Sequence, residues 1–149
     1  MSDRYPATIV WTGNTQDADY NRVSTLTKPG GKAAIPGSSG VAFGGDPSCW
    51  NPEDLLAAAL ANCHMLTFLA LAHKVRLQVT GYEGVAESSL ETVDRVSKVA
   101  SIALRPTIRV APGTDKAKVE EMFQKAHKYC VIGNSYNGTI LLEPTVVEG

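Results

Sequence analysis

Cysteine is scarce in this 149-residue chain, which holds three: Cys49, Cys63 and Cys130. Three thiols at irregular spacing cannot build the disulfide framework of a small secreted domain. In a reducing compartment a disulfide among them is catalytic or sensing rather than a staple. Charge of one sign is scarce as well. The formal net charge is −1 and neither sign forms a long run, so bulk electrostatics predict no binding to nucleic acid or to an anionic membrane. The opening MSDRYPATIVWTG has no basic segment leading into an apolar one, so no secretion signal is expected there. The longest apolar stretch is interrupted by Asn62, Cys63, His64 and Thr67. No membrane span is therefore expected, and the expected address is the cytoplasm. A Walker loop, a dinucleotide fingerprint and a G-x-S-x-G elbow are all missing, which leaves nucleotide and acyl-transfer chemistry without support. With 44% hydrophobic residues the chain is expected to fold as one domain over residues 1–149. Such a domain buries roughly two-thirds of its unfolded surface.

Along the chain, ATIVWTG (7–13) and YNRVSTLT (20–27) read as a strand pair across the polar turn NTQDAD. The Gly, Pro and Ser density of residues 28–50 reads as a loop, with KAAIP a short strand inside it. A helix then starts sharply. Asn51 suits the cap, Pro52 the first helical position, and Glu53 and Asp54 the positive end of the dipole. From residue 55 to 71 nearly every side chain is apolar or small, which predicts a helix covered on all sides, at the centre of the fold or of a dimer. Residues 76–87 and 97–111 read as two long strands joined near SSLETVD, with Pro106 placing a bulge or an edge in the second. Thr114 opens a second helix through about Tyr129, apolar along Val119, Met122, Phe123 and Ala126. NSYNG reads as a turn and TILLEPTVV as a last strand. Strands, helix, strands, helix and strand, with no βαβ alternation, give an α+β fold.

Two cysteines far apart in sequence, each on a helix, suggest chemistry in which one thiol attacks and the other resolves. Free cysteine is also a common buried small hydrophobe, so packing is the competing reading for Cys63 and Cys130. A reactive Cys63 in apolar surroundings needs a cation to hold its thiolate, and Arg22 or another arginine must supply it. Cys49, in the flexible loop beside Trp50, reads as a bystander. Metal binding by Cys63 and His64 with Cys49, Cys130, His73 or His127 is disfavoured. Neighbours on a helix diverge by about 100°, and no C-x-x-C or H-x-x-x-H spacing occurs, so neither a metal nor a cofactor is expected.

NPEDLLAAALANCHM (51–65) resembles the Asn-Pro-Glu-Glu-Leu-Leu-x-Ala-Ala-x-x-x-Cys signature of the OsmC/Ohr family of thiol-dependent peroxidases. Cys130, followed by Asn134, resembles the family's second cysteine motif, with Val131, Ile132 and Gly133 standing where Pro-Val-Ser is usual. The resemblance implies an OsmC-like fold of antiparallel sheets around a long central apolar helix. It also implies Cys63 as peroxidatic thiolate, Cys130 as resolving thiol, and Glu53 as the acidic partner of an arginine, for which Arg22 is the choice. An organic hydroperoxide is the implied substrate and an external dithiol the implied reductant. Leu60, Met65, Leu66 and Phe68 are expected to offer an apolar surround that favours the organic substrate. His64 reads as packing. A redox-responsive stress protein with little turnover shares both cysteines, and a non-catalytic binding module shares the fold, so both stay open.

The same resemblance bears on assembly. Ten residues separate Glu53 from Cys63, so on one unbroken helix they stand about 15 Å apart along the axis and about 80° apart around it. AAALANC contains no Pro or Gly to break that helix. If the two share a site, Glu53 reaches the Cys63 of a partner chain, which makes the expected unit an intertwined homodimer.

Overall fold

Two long strands in which β-branched residues recur among polar and small ones flank a two-residue turn and make the framework on which the C-terminal part of the chain is built. The computed structural model describes residues 3–28, 30–31 and 33–149. Two compact units emerge, one ending at Leu55 and the other spanning Leu56–Gly149.

In the first unit β1 (Thr8–Val10), β2 (Ser24–Thr27) and β3 (Ile35–Gly37) form an antiparallel sheet with Ile9, Leu26 and Ile35 in register. The expected strand pair and the short strand in the loop are both present, although Lys32 of KAAIP lies outside the described residues. The loop ahead of the long helix holds a single 3₁₀ turn, Val41–Phe43, and Trp50 is tied back by its N–H to Pro36 O at 3.0 Å.

Helix α1 (Pro52–Lys74) starts where the sequence places it: Asn51 Oδ1 accepts the Asp54 N–H at 2.8 Å. By length and composition α1 is long and apolar enough to cross a membrane. Its buried residues, Ala57, Leu60, His64, Phe68 and Ala72, recur every three or four positions and put one stripe into the core of the second unit. The opposite stripe of Ala59, Asn62, Leu66 and Ala70 is exposed, so α1 is not covered on all sides as its composition suggests. One chain supplies a single wall for this helix and leaves the stripe around Leu66 uncovered.

β4 (Val79–Val93) and β5 (Val96–Val110) pair antiparallel through most of their length. SSLETV continues β4 rather than joining the strands. The turn is Asp94–Arg95, both at positive φ, 51° and 67°, as a two-residue type I′ hairpin requires. Pro106 is paired with Gly84 in unbroken register, and the irregularities lie at Val79/Gly81 and Ser89/Leu90 instead. Nor is β5 an edge. Its other flank carries two parallel strands in succession, β6 (Thr139–Leu142) along Ser101–Leu104 and β7 (Thr145–Glu148) along Thr107–Val110. Pro106 falls in the interval between them, where a residue lacking an N–H is tolerated. TILLEPTVV is thus two strands split at Glu143–Pro144, and this sheet is mixed rather than antiparallel.

α2 (Lys116–Tyr129) is capped by Asp115, whose carboxylate accepts the Lys118 N–H at 3.3 Å, and it buries the four residues its periodicity names. Phe68, Ile108, Val110, Val119, Met122, Phe123 and Ala126 form one core cluster; Ala57, Leu60, Ile102, Leu104 and Cys130 form a second. Each large side chain so buried contributes about 1.5–3 kcal/mol. A short helix α3 (Val131–Ser135) follows α2 directly, so the first two residues of the supposed turn NSYNG are helical.

Candidate active site

Cys63 lies midway along α1 and is half-buried. Its carbonyl accepts a second hydrogen bond, from Thr67 Oγ1 at 2.8 Å. Cys130 is fully buried. It sits at the break between α2 and α3 in extended backbone (φ −73°, ψ 112°), ending one helix and capping the next. Its sulfur accepts the Gly133 N–H at 3.3 Å, the role that a serine or aspartate oxygen usually fills at a helix start.

The fold brings these two thiols together: Cys63 packs against the cluster that holds Cys130, close enough for each to act on the other's proton. Both are free thiols. Burial pushes the Cys130 thiol above its ordinary range, the contact with Cys63 adds to that, and the Gly133 N–H opposes it. One partner is therefore reachable and the other is sheltered and held protonated, an asymmetry suited to sequential attack and resolution.

Arg22 and Glu53 belong to the first unit. Arg22 Nη2 donates to Ser39 Oγ at 3.0 Å and to Phe43 O. It lines a cavity of about 550 Å³ with Tyr20, Ser38, Ser39, Phe43 and Asp46 among others. Glu53 is half-buried in the first turn of α1, its carboxylate close to Gly40. The Asp46 carboxyl is held below its usual range, by its hydrogen bonds from Ser48 first and by Cys49 in lesser part.

Leu60 and Phe68 do not line a substrate surround, because both are fully buried in the core. Of the four residues expected there, Leu66 alone is exposed, at 55%, and Met65 is half-buried. His64 is core, as read from the sequence, but it also makes a directed bond: its Nε2 lies 2.9 Å from Phe123 O. Helix α3 and the N–H of Gly133 escaped the sequence reading. Cys-x-x-Gly mimics the spacing of a capping residue and its N3 amide, but cysteine is an uncommon cap. Among the described residues no group of three or more His, Cys, Asp or Glu side chains is arranged to hold a metal ion.

Residues 45–144 match the family described as "OsmC-like protein". An "Organic hydroperoxide resistance protein" of Xanthomonas axonopodis pv. citri (strain 306) is 29% identical over 140 residues, covering 91% of this chain and 93% of that protein. "Peroxiredoxin OsmC" of Escherichia coli (strain K12) is 29% identical over 93 residues, covering 62% of this chain and 64% of that one. Among solved structures, an OsmC-like protein of unknown function from Vibrio cholerae O1 superposes with a TM-score of 0.86 at 27% identity. The match covers 96% of this chain and 99% of that one.

Proposed function

The chain belongs to the OsmC-like protein family, and from that premise we propose that it is a cysteine-based peroxidase that reduces organic hydroperoxides. The names of the Xanthomonas and Escherichia relatives support the activity and the substrate class. The observation that carries the mechanism is the contact between a half-buried Cys63 and a buried Cys130. The Cys63 thiolate attacks the terminal peroxide oxygen, the O–O bond breaks, and the alkoxide takes a proton to leave as alcohol. Cys63 is then a sulfenic acid. The Cys130 sulfur displaces its hydroxyl, which departs as water with the Cys130 proton, and a disulfide forms. An external dithiol, supplied in a reducing cytoplasm, returns both thiols and is itself oxidised to a disulfide. In this reading Arg22 supplies the cation that favours the thiolate and engages the peroxide, and Glu53 orients its guanidinium.

The working unit in this reading is a homodimer. The apolar stripe of α1 around Leu66 supports it, because a second copy can cover what one chain leaves bare. The unbroken α1 keeps Glu53 and Cys63 of one chain at their helical separation. Mixing Glu53→Ala with Cys63→Ser subunits is then expected to restore activity above either parent. A fully active monomer in sedimentation refutes the dimer.

The test of the function is direct. Wild-type protein treated with cumene hydroperoxide yields cumyl alcohol and a mapped Cys63–Cys130 disulfide, and Cys63→Ser yields neither. Equal turnover by wild type and Cys63→Ser refutes the assignment.

A further inference from the structure

A histidine beside the reactive thiol stands where an apolar side chain would serve the core better. His64 is fully buried, and its Nδ1 has no hydrogen-bond partner. A carbonyl only accepts, so the 2.9 Å contact with Phe123 O places the proton on Nε2 and leaves Nδ1 a bare lone pair in apolar surroundings. An orphaned buried nitrogen is unfavourable, and a residue kept solely to fill the volume would not carry one. What the imidazole adds over Leu or Met is the one directed bond it makes.

That bond crosses from α1 to the middle of α2. The His64 ring also lies against the Phe123 ring, with centroids 4.4 Å apart, and Phe68, one turn further along α1, meets Phe123 edge-on at 5.8 Å. Two successive turns of α1 thus grip a single residue of α2. The remaining buried residues of α2, Val119, Met122 and Ala126, make apolar contacts, which interlock by shape but carry none of the directionality of a hydrogen bond. Cys130 follows Phe123 by seven residues, about 10 Å further along the helix axis. Cys63 is the neighbour of His64 in sequence. The grip at one point on α2 therefore sets where the sulfur at its end lies against the sulfur next to the grip.

We propose that His64 is a positioning residue for disulfide closure, holding α2 in the rotation and register that keep Cys130 against Cys63. Its role in turnover rests on the peroxidase reading, whereas its hold on the thiol pair does not.

The test compares two nearly isosteric substitutions. His64→Gln keeps a side-chain N–H at about the reach of Nε2, and His64→Met fills the same space without a donor. Single-turnover stopped flow with cumene hydroperoxide separates sulfenic acid formation at Cys63 from closure with Cys130. Diamide, which takes the two thiol hydrogens and becomes a hydrazine, closes the same disulfide without any peroxide step. Since small displacements of reacting groups carry large rate penalties, His64→Met is expected to slow closure about tenfold with both oxidants. Sulfenic acid formation should stay within about twofold, and His64→Gln should recover most of the loss. Val119→Ala, a core truncation in the same cluster, controls for destabilisation and is expected to close at the wild-type rate. Closure at the wild-type rate in His64→Met overturns the proposal. So does equal slowing in His64→Gln, or in a Val119→Ala protein of matched stability. Wild type that closes with diamide but not with cumene hydroperoxide overturns the peroxidase reading, and the diamide series still judges His64. Wild type that closes with neither overturns both.

Discussion

Replacing the sulfur of Cys130 by oxygen separates the chemistry of the proposed resolving thiol from its structural place. Cys130 is fully buried among Ala57, Leu60, Ile102 and Leu104, so Cys130→Ser brings a hydroxyl into an apolar cluster. Unpaired, that hydroxyl costs about 1–3 kcal/mol. It is not unpaired, because Oγ inherits the Gly133 N–H that the sulfur now accepts, and serine is a better helix cap than cysteine, by about 1 kcal/mol relative to a non-capping residue. The two effects oppose each other, and the net change is about 0–2 kcal/mol, at most a fall of roughly 8 °C in melting temperature for a chain of this size. The variant therefore folds, and loss of function in it is chemical. Mixed with excess cumene hydroperoxide it is expected to consume one equivalent per subunit, form a dimedone-reactive sulfenic acid at Cys63, and then stall or advance to sulfinic acid. Calorimetry, peroxide consumption and intact mass follow the three quantities. Sustained turnover at the wild-type rate, or sulfenic acid on Cys49 rather than Cys63, refutes the reasoning.

Other outcomes follow from the same geometry. A Cβ on Gly138 would lie 2.0 Å from Tyr136 Oη, so Gly138→Ala displaces the ring and breaks its 2.7 Å bond to Val99 O. Overpacking and the lost bond together are expected to lower stability by about 2–3 kcal/mol in urea titration, and less than additively with Tyr136→Phe, because both remove that bond. Burial lowers the pKa of His64 from its ordinary 6.5, the bond to Phe123 O opposes that, and a charge on His127 of α2 adds to it. The unfolded state then takes up a proton near pH 6.5 that the folded state refuses, so the contribution of His64 is complete above that pH and declines below it by up to about 1.4 kcal/mol per pH unit. Between pH 7.5 and 5 the urea midpoint of wild type should fall relative to that of His64→Met, and parallel profiles contradict the assignment. Under the proposed mechanism Arg22→Met is expected to slow peroxide reduction at neutral pH, and an unchanged rate moves the role to another arginine.

The start of α1, the amphipathic face of α2 and the short N-terminal strands were legible because they rest on local chemistry, whereas α2 is capped by Asp115 and begins at Lys116 rather than opening at Thr114. Asn51 and Pro52 announce α1, and the spacing of Val119, Met122, Phe123 and Ala126 names the buried face of α2 without reference to anything distant. What misled was chemistry whose meaning depends on partners. SSLETV is polar enough to read as a loop, yet it continues a ladder because residues 96–102 lie opposite it. Pro106 reads as a defect until β6 and β7 are seen to leave an interval beside it. The composition of α1 shows that it is apolar but not how much of it one chain can cover. At the site, the two cysteines were identifiable singly, whereas their contact depends on α2 packing across α1.

That packing also explains why the thiols differ although both lie in the same part of the core. Cys63 is carried on the flank of α1, between the stripe that faces α2 and the sheet and the stripe that is bare in a single chain. Helical geometry gives such a flank position partial access while anchoring it through neighbours on the buried side. Cys130 has no such flank. It closes one helix and opens another, so its backbone is fixed from both directions, by the α2 core residues before it and by Tyr136 bonded to Val99 after it. A thiol held this way cannot come out to meet a peroxide, but it can accept a sulfur that is already beside it. Closing the proposed disulfide is expected to turn the Cys130 sulfur toward Cys63 and away from the Gly133 N–H, weakening the cap of a five-residue helix too short to persist on its own propensity. The oxidised protein is therefore expected to exchange the amide hydrogens of Asn134 and Tyr136 faster than the reduced one. Their N–H groups bond Cys130 O and Ile132 O only while α3 is formed. Equal protection of these two amides in both redox states would show that the cap survives the bond.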